Sequence, residues 1–531
     1  MVRLVTMLFF PELATLKDSL AFHARTRGDH VAVMTPTHSL TYAQLAHNAE
    51  LVAHQLRQLG VGEGDRVAFI AKERASYWET TFACALIGAV IVPINWKLTQ
   101  EEVAHILKDS GAGVILIDGD HQLFNTTGIT EINTLPQAWQ AWLSAAELKE
   151  SDTQSLLTAG FEPTPDTPVC QLYTSGTTGL PKGVVLAHRS WFAVRNALGE
   201  AGVEWISFEE NDVCFVGIPG FHVGGMWYAM QVFNAGQTVY SVEEFNPVSA
   251  REIFKQAAVT SAILVPAMMA SIAELSPADP DAFAHMRQVI YGGAPIGDSV
   301  LANCVRVFGA RFAQIYGLTE TGNTAVCLPP EEHYPDSPRL KAAGRPYPGF
   351  AVRIVDEDNT VLPAYEVGEV LLYTPARMVE YWNLPEATSE TLVDEADAGW
   401  IRTGDAGFVD DEGFLFIQDR IKDMILVGGE NVFPAEVEKV LLRECGIADC
   451  AVIGVPDDRS GEAVLALIVP DPSKPRPTTR DLLLAVRGKI AAFKIPSRWE
   501  FIEQIPRNPS GKILRRALRE KYWVGRDRKV N

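Results

Sequence analysis

The sequence lacks the features that mark secreted, membrane-spanning or nucleic-acid-binding proteins. It has only 7 cysteines and no Cys-x-x-Cys pair, so we expect reduced thiols, no disulfide and no structural zinc. The longest apolar run, residues 82–94, is shorter than the roughly 18 residues of a membrane span, and residues 4–10 make a poor signal peptide. Basic residues are outnumbered, with 46 Lys and Arg against 66 Asp and Glu and a net charge of −20, which disfavours nucleic acid as a partner. These absences favour a soluble cytoplasmic protein with no integral membrane segment.

Length and apolar pattern indicate several domains of the α/β class. The 531 residues exceed a typical domain of roughly 150 residues. Residues 41–59 carry apolar side chains at helical spacing behind Thr41 as the N-cap, and 77–89 predicts a second helix. Short apolar runs predict buried strands at 65–71, 90–94, 113–117, 262–265 and 288–291. Because strands separated by helices are typical of parallel sheets, we predict a large N-terminal domain of α/β-layered sheets.

The pattern changes towards the end of the chain. From about residue 345, the segments AVRIVD, GEVLLYT and GFLFIQD alternate with acidic turns, which predicts an antiparallel β-rich subdomain. After residue 422 we predict a smaller α+β unit, with helices at 434–442 and 479–491 and strands at 450–455 and 464–469. The predicted domains are therefore 1–421, which ends in the β-rich subdomain, and a small mobile domain at 422–531.

Residues 173–183, YTSGTTGLPKG, form a loop rich in glycine and hydroxyl side chains. The loop follows the apolar segment VCQLY and precedes a helical stretch from His188, so we predict that it joins a strand to a helix. Backbone N–H and side-chain O–H groups of such a loop can wrap a polyphosphate, with Lys182 adding charge. It is not a Walker P-loop, because Pro181 stands where that motif requires glycine before the lysine. Taken alone, the loop is equally compatible with a flexible turn.

Four further segments follow in order: YGLTE at 316–320, TGD at 403–405, QDRIKDMILVGGEN at 418–431 and RNPSGK at 507–512. Together with the glycine-rich loop they resemble the signature segments of the adenylate-forming superfamily, which includes acyl-CoA synthetases, aryl-CoA ligases, adenylation domains of peptide synthetases and luciferases. The resemblance spans most of the chain. It implies that a carboxylate reacts with ATP to give acyl-AMP and pyrophosphate, and that the acyl group then passes to a thiol, usually that of coenzyme A.

The resemblance also implies a nucleotide and metal site. Lys512 would be the central catalytic cation, which offsets the repulsion between the carboxylate and the α-phosphate. Glu320 would hold Mg²⁺, with Thr174 as a second ligand. Asp405 and Arg420 would bind the ribose hydroxyls. The nucleotide-binding positions that the resemblance implies are Thr174, Ser175, Gly176, Thr177, Thr178, Gly179 and Lys182 at the phosphates, Gly292, Gly293, Ala294 and Tyr316 at the adenine, and also Gly317 and Thr319.

For the second half-reaction the family rotates its small domain about a hinge residue. Lys422 occupies the hinge position in this sequence. After rotation Lys512 would leave the active site, and glycines would allow a close approach to the pantetheine arm of coenzyme A. The segment that would approach the thiol consists of Gly428, Gly429, Glu430 and Asn431.

Residues 219–225, PGFHVGG, resemble the family's entrance to the acyl pocket. His222 would be an aromatic gate between the acyl tunnel and the AMP site, and would contribute to catalysis there. Amino-acid-activating relatives carry an Asp at this position, so amino acids are disfavoured as substrates. Small neighbours favour an aliphatic tail, but an aryl pocket stays open because the orientations of Trp227 and Tyr228 cannot be predicted from sequence. The acyl-pocket residues predicted here are His222, Val223, Gly224, Gly225 and Trp227.

We therefore expect a cytoplasmic fatty acyl-CoA synthetase that uses ATP, Mg²⁺ and coenzyme A and acts on a medium- or long-chain acid. The alternatives are an aryl-CoA ligase of the coumarate type, an acyl-AMP ligase that loads a carrier protein, a luciferase-type oxidase, and a non-catalytic acyl or nucleotide sensor. The presence of Lys512, Glu320 and Asp405 argues against the sensor. The sequence leaves open the native acid, its length and whether the protein forms a homodimer.

Overall fold

The structure confirms the α/β class, with a large N-terminal part of sheets and helices and a smaller C-terminal part. The computed structural model describes residues 8–119, 128–146, 155–174, 181–275, 280–294, 296–334, 337–393, 399–427, 430–444, 446–457, 460–507 and 513–524. By their internal contacts the residues form two compact units. We call residues 1–351 with 372–401 the first unit, and residues 352–371 with 402–531 the second unit.

Nine strands described in the first unit form one sheet. Its six central strands are parallel, Val326–Leu328 and Ser39–Thr41 pair antiparallel with the two outer ones of these, and Arg345–Pro346 pairs antiparallel with Val326–Leu328. The strands expected near 262–265 and 288–291 are confirmed here. In spatial order the sheet contains Arg345–Pro346, Val326–Leu328, Arg311–Tyr316, Gln288–Gly292, Ser261–Leu264, Val213–Val216, Thr238–Ser241, Val31–Met34 and Ser39–Thr41.

A second sheet of the first unit contains seven described strands. Five of them are parallel, including the three that the sequence predicted near 65–71, 90–94 and 113–117. The two strands at one edge are antiparallel, and they carry residues of the candidate site. The spatial order is Glu380–Tyr381, Lys182–Ala187, Pro168–Thr174, Val90–Pro93, Arg66–Ile70, Val114–Ile117 and Thr130–Asn133.

Helices pack against these sheets, and their ends follow from capping residues. Thr41 caps its helix as predicted, because its hydroxyl accepts from the Gln44 N–H while the Gln44 side chain accepts from the Thr41 N–H. Thr15 and Thr99 form the same reciprocal cap. The helices of the first unit are Leu16–Thr26, Tyr42–Gln58, Ala75–Ile87, Gln100–Ser110, Pro136–Ser144, Arg189–Ala201, Val223–Asn234, Pro247–Gln256, Pro266–Leu275, Asp298–Phe308 and Pro385–Thr391.

The second unit combines a β-rich part with a small α+β part. The sequence pattern predicted both parts but assigned the β-rich one to the large domain 1–421, and those domain bounds stay a prediction. The β-rich part is built mainly from Ala351–Val355, Gly368–Tyr373, Trp400–Val409 and Leu415–Arg420. The α+β part has strands Ile425–Val427, Glu430–Val432, Asp449–Asp457, Gly461–Val469 and Arg498–Phe501, and helices Pro434–Glu444, Thr479–Val486 and Arg515–Glu520.

Two expectations about these elements were wrong. The glycine-rich loop joins two antiparallel strands and not a strand to a helix, because Lys182–Ala187 forms a strand before the helix Arg189–Ala201 begins. The helix predicted at 479–491 ends at Val486, since Arg487 is extended and Gly488 has a positive φ of 78°.

Six cysteines lie in the described part of the chain as buried free thiols: Cys84, Cys170, Cys214, Cys304, Cys327 and Cys450. Among the described residues no helix is both long enough and apolar enough to cross a membrane.

Candidate active site

Lys182 and Glu320 are brought together by a tyrosine. Lys182 pairs with Thr174 across the two antiparallel strands that flank the glycine-rich loop. Its ammonium lies 5.0 Å from the centre of the Tyr381 ring, within cation–π range. The Tyr381 hydroxyl donates a 2.6 Å hydrogen bond to Oε1 of Glu320. The predicted phosphate-binding lysine and the predicted metal ligand therefore share one neighbour.

Glu320 sits in a tight turn that its neighbours enforce. The turn is a short 3-10 helix, Thr319–Thr321, and the Glu320 carbonyl accepts from the Met378 N–H at 2.8 Å. A Cβ at Gly317 would lie 2.5 Å from a backbone oxygen, so only glycine fits before the turn. Asn323 follows with a φ of 92°, and its side-chain Nδ2 is buried without a hydrogen-bond partner among the described residues.

The residues predicted to contact the adenine lie at the ends of two neighbouring parallel strands. Gly292 pairs with Ile315, so Gly292 and Tyr316 lie at the same edge of the nine-stranded sheet. A Cβ at Gly292 would meet the Ile315 carbonyl at 2.4 Å, and Gly293 has a φ of 80°. Glycine at 292 is therefore required by the close packing of these two strands, and the adenine role of the two segments stays a prediction.

The acyl-entrance segment continues into the helix Val223–Asn234, with His222 at its N-cap position. A Cβ at Gly225 would lie 2.1 Å from the Ile218 carbonyl oxygen, so this turn needs glycine. Gly224 has more room, and a Cβ there would lie 3.6 Å from Oδ1 of Asn323. Asn323 therefore lies close to Gly224, which places the acyl entrance next to the Glu320 turn although the two segments are far apart in sequence.

A buried network fixes the backbone just before His222. Gly220 donates its N–H to Glu73 at 2.6 Å and accepts from the Tyr77 hydroxyl at 2.9 Å. The other Glu73 oxygen accepts from Ser241 at 3.0 Å, and Ser241 accepts from the Trp78 indole at 2.8 Å. Both polar groups of Gly220 are thus held by the start of the helix Ala75–Ile87.

Burial sets the protonation of two groups near this entrance. The pKa of Glu73 is raised to about 7 by desolvation, which outweighs its hydrogen bonds from Gly220 and Ser241. The pKa of His222 is lowered to about 4 by desolvation, so its imidazole is neutral at pH 7. A neutral ring 4.8 Å from the Phe221 ring centre suits an apolar gate and not an anion-binding cation.

Trp227 and Tyr228, whose orientations the sequence left open, are both fully buried. The Tyr228 hydroxyl donates to Ser261 at 2.7 Å, which fixes this side chain against a strand of the nine-stranded sheet. The Trp227 indole N–H has no hydrogen-bond partner among the described residues.

In the second unit, the predicted ribose-binding residues stand opposite each other. Asp405 and Arg420 are direct partners in the antiparallel strands Trp400–Val409 and Leu415–Arg420. Asp405 is buried, and its N–H donates to the Thr403 hydroxyl at 3.0 Å, which itself donates to the Val370 carbonyl at 2.7 Å. Gly404, between Thr403 and Asp405 in this strand, has a positive φ of 65°.

The hinge candidate Lys422 lies in a short 3-10 turn, Ile421–Asp423, of the second unit. Arg519 donates to the Lys422 carbonyl at 3.2 Å and forms an ion pair with Asp423 at 3.2 Å. Glu430 begins the strand Glu430–Val432, in which Asn431 pairs with Leu426. The C-terminal helix Arg515–Glu520 therefore holds the predicted hinge from one side.

Several predicted residues lie outside the described part of the chain: Ser175, Gly176, Thr177, Thr178, Gly179, Gly428, Gly429 and Lys512. Their roles stay predictions. Conversely, sequence reasoning missed Tyr381, Glu73 and Tyr77, which belong to no recognised segment. Asn323 lies three residues after the YGLTE segment, and this short separation was a signal that sequence reasoning could have used.

The residues near Glu320 suit Mg²⁺ only together with a nucleotide. Within the described ranges no group of three or more His, Cys, Asp or Glu side chains could hold a metal ion. Mg²⁺ usually takes one or two carboxylates and completes its shell with phosphate oxygens and water. Glu320 lies next to the strands that flank the glycine-rich loop, so it could supply the one carboxylate of such a shell. The ion would then neutralise charge on the phosphates.

Two family models match the chain, AMP-binding enzyme over residues 20–382 and AMP-binding enzyme C-terminal domain over residues 436–512. The chain is 47% identical over 528 residues to a fatty acid–[acyl-carrier-protein] ligase of Streptomyces coeruleorubidus, with 99% of each chain covered. It is 34% identical over 499 residues to a long-chain-fatty-acid–CoA ligase of Mycobacterium tuberculosis, covering 91% of this chain and 93% of that one. It also resembles the o-succinylbenzoate coenzyme A synthetase of Bacillus subtilis in complex with ATP and magnesium ion, with a TM-score of 0.81, 30% identity, and 94% of this chain and 99% of that chain covered. The chain therefore belongs to the AMP-binding family of adenylate-forming enzymes.

Proposed function

We propose that the protein activates an aliphatic carboxylic acid of the fatty-acid type with ATP and transfers the acyl group to a phosphopantetheine thiol. An enzyme that joins a carboxylate to ATP needs its phosphate, metal and acyl sites side by side. The main support is the contact series that runs from Lys182 through Tyr381 to Glu320, and the approach of Asn323 to Gly224 in the acyl entrance.

The first half-reaction forms a bond between a carboxylate oxygen and the α-phosphorus, and breaks the bond to the β-phosphate, so pyrophosphate leaves. Both reactants are anions, so the chain must supply positive charge and oriented donors. We assign this role to Lys512, assisted by Lys182 and the hydroxyl groups of the glycine-rich loop. In the second half-reaction the thiol sulfur attacks the acyl carbonyl carbon, the thiol proton is lost, and AMP leaves.

For the acceptor thiol, we propose a carrier protein ahead of free coenzyme A. The support is the 47% identity, over 99% of both chains, to a ligase named for acyl carrier protein, against 34% to a ligase named for coenzyme A. Coenzyme A remains the second candidate, because the coenzyme A ligase also matches over more than nine tenths of its length.

The acceptor can be tested by following acyl-AMP consumption with octanoate as the acid. We expect thioester formation on a holo-carrier protein and slower formation, if any, with free coenzyme A. An apo-carrier protein, which lacks the phosphopantetheine, is the control and should give none. Equal rates with coenzyme A and the holo-carrier would reject the preference for the carrier, and pyrophosphate exchange without any acid would reject the activation step.

The role of Lys512 can be tested by pyrophosphate exchange. Removing one donor that stabilises developing charge typically costs about 10²- to 10³-fold in rate, so we expect Lys512→Ala to lose at least that much with unchanged folding. Lys521→Ala is the matched control, because Lys521 is an exposed lysine of the same region that pairs with Glu500. Normal exchange by Lys512→Ala would show that the assignment is wrong.

A further inference from the structure

The helix Arg189–Ala201 carries a buried arginine without a counter-charge. Arg195 is only 6% exposed, and its Nη2 has no hydrogen-bond partner among the described residues. The described part of the chain also places no carboxylate in an ion pair with it. Burial lowers the pKa of the guanidinium to about 10, so it is still charged at pH 7.

Two other poorly exposed arginines among the described residues are neutralised. Arg287 pairs with Asp212, and Arg515 pairs with Glu438 at 2.7 Å. Such pairing is the general rule, because a buried charge that lacks a partner costs far more than the same charge in water. Arg195 departs from that rule among the described residues, so a bound ligand could supply the missing counter-charge.

The guanidinium lies beside the helix that begins at the acyl entrance. The side-chain amides of Gln231 and Asn234, on the helix Val223–Asn234, donate to the Trp191 carbonyl at 2.6 and 3.3 Å, one turn before Arg195. The Phe208 ring connects the same two helices further along. Its centre lies 5.2 Å from the Arg195 guanidinium carbon and 6.1 Å from the Tyr228 ring centre. At 1.5 Å per residue, Tyr228 lies about 9 Å along the helix from His222.

A second unpartnered donor lies on the same side of this helix. Trp227 is four residues before Gln231, so the two side chains share a face. That face points towards the helix of Arg195, since Gln231 bonds to Trp191. The buried indole N–H of Trp227, like Nη2 of Arg195, has no partner in the described ranges.

From this arrangement we infer that Arg195 is the distal anchor of the acyl pocket and binds a second carboxylate of the substrate, with Trp227 as an additional donor. The inference rests on the proposed function and narrows it to dicarboxylic acids. A neutral acceptor such as a hydroxyl would leave the buried charge uncompensated, whereas a carboxylate neutralises it and accepts two hydrogen bonds from one guanidinium.

The kinetic test compares acids of equal length in ATP–pyrophosphate exchange: adipate, pimelate and suberate against hexanoate, heptanoate and octanoate. A site with a buried polar group strongly rejects the analogue that leaves the group unpaired, so we expect the wild type to prefer the dicarboxylates by at least about tenfold in kcat/KM. Arg195→Met should reverse the preference, mainly through KM, and Arg195→Lys should keep part of it. Arg251→Met is the control, since Arg251 bonds to Leu275 and Glu252 elsewhere, and should leave the ratio unchanged.

Thermal unfolding provides a readout that does not depend on catalysis. Without substrate, Arg195→Met should unfold at a higher temperature than the wild type, because the variant removes an unpaired buried charge. Adipate should raise the unfolding temperature of the wild type and not that of Arg195→Met. A marked destabilisation by Arg195→Met would reveal an internal counter-charge and would overturn the inference, as would an unchanged substrate ratio.

The two tests separate this inference from the proposed function. If no acid supports exchange but adipate still stabilises only the wild type, the activation reaction is wrong and the Arg195 site stands. If monocarboxylates are activated and Arg195→Met changes neither their rates nor the adipate effect, the proposed function stands and the dicarboxylate site is wrong.

Discussion

At the scale of single residues, Tyr381 joins the phosphate side of the candidate site to the metal side. Its ring faces Lys182, and its hydroxyl donates to Glu320 at 2.6 Å. A hydrogen bond to a charged group contributes about 1.5–3 kcal/mol, so this one is strong enough to hold the Glu320 carboxylate in a single orientation. Tyr381 is thus a positioning residue for the predicted metal ligand.

We expect Tyr381→Phe to keep the aromatic face for Lys182 and to lose the orientation of Glu320. The kcat/KM for ATP should fall about tenfold, with a higher Mg²⁺ concentration needed for half-maximal exchange. Titrating Mg²⁺ in the pyrophosphate-exchange assay measures both. Tyr365→Phe removes a comparable hydrogen bond, from an exposed tyrosine to Asp411, and should change neither. An unaltered Mg²⁺ dependence in Tyr381→Phe would contradict the positioning role.

Glu73 gives the protein a pH-dependent stability term. Its pKa is about 7 in the folded protein against 4.5 ordinarily, so folding favours the protonated form. The associated stabilisation is complete below pH 4.5 and is lost as the pH rises through 7. At about 1.4 kcal/mol per unit of pKa, the loss is on the order of 3 kcal/mol.

Glu73→Gln keeps the shape and stays neutral, so its stability relative to the wild type should rise by that amount between pH 4.5 and pH 7. Urea unfolding of both proteins across this range measures the difference. Glu438, whose pKa is also raised to about 7 by burial, is present in both proteins and cancels. A stability difference that does not vary with pH would contradict the assignment.

At the scale of elements, most helices and strands could be predicted because their signals are local. Thr41 caps a helix through groups three residues away, and the apolar runs of the parallel strands are continuous. The strand Lys182–Ala187 was missed because the glycine-rich loop before it was expected to lead into a helix. The helix that starts at Thr479 is shorter than its apolar pattern predicts. The pattern continues beyond Val486, but Gly488 has a positive φ that a helix cannot accommodate.

The turn at the acyl entrance permits a matched pair of substitutions. Gly225→Ala would place a methyl group 2.1 Å from the Ile218 oxygen, and Gly224→Ala would place it 3.5 Å from the Ile218 side chain, at ordinary contact distance. Overpacking of this kind costs about 1–3 kcal/mol, so we expect that loss for Gly225→Ala and little change in stability for Gly224→Ala. The denaturant midpoints of the two variants measure this difference in stability. Equal stability of the two variants would contradict the geometry.

At the scale of the whole molecule, the structure shows where the contiguous predicted segments lie, and the roles of their residues stay predictions. Gly292 and Tyr316 end adjacent strands, and Asp405 and Arg420 are register partners in two antiparallel strands. The contacts that support these segments come from distant parts of the chain. Glu73 reaches Gly220 across 147 residues, and Tyr381 reaches Glu320 across 61. Such contacts depend on the tertiary fold, so no local pattern in one sequence predicts them.

The proposed rotation of the small domain between the two half-reactions can be tested at its hinge candidate, Lys422. Proline fixes φ near −65°, a value that the 3-10 turn Ile421–Asp423 tolerates, but it prevents the rotation expected of a hinge. We expect Lys422→Pro to retain pyrophosphate exchange and to lose at least about tenfold in thioester formation. Lys422→Ala keeps a free φ and should retain both rates. Equal losses of both half-reactions in Lys422→Pro would refute the hinge.

The buried cysteines have a consequence for an enzyme of this chemistry. An acyl-adenylate is a mixed anhydride that acylates any accessible thiolate, so a reactive cysteine near the site would be consumed by the enzyme's own product. The six described thiols are all enclosed by the fold, and desolvation raises the pKa of five of them, that of Cys304 to about 11. Those five thiols therefore stay protonated and do not compete with the incoming acceptor for the activated acyl group.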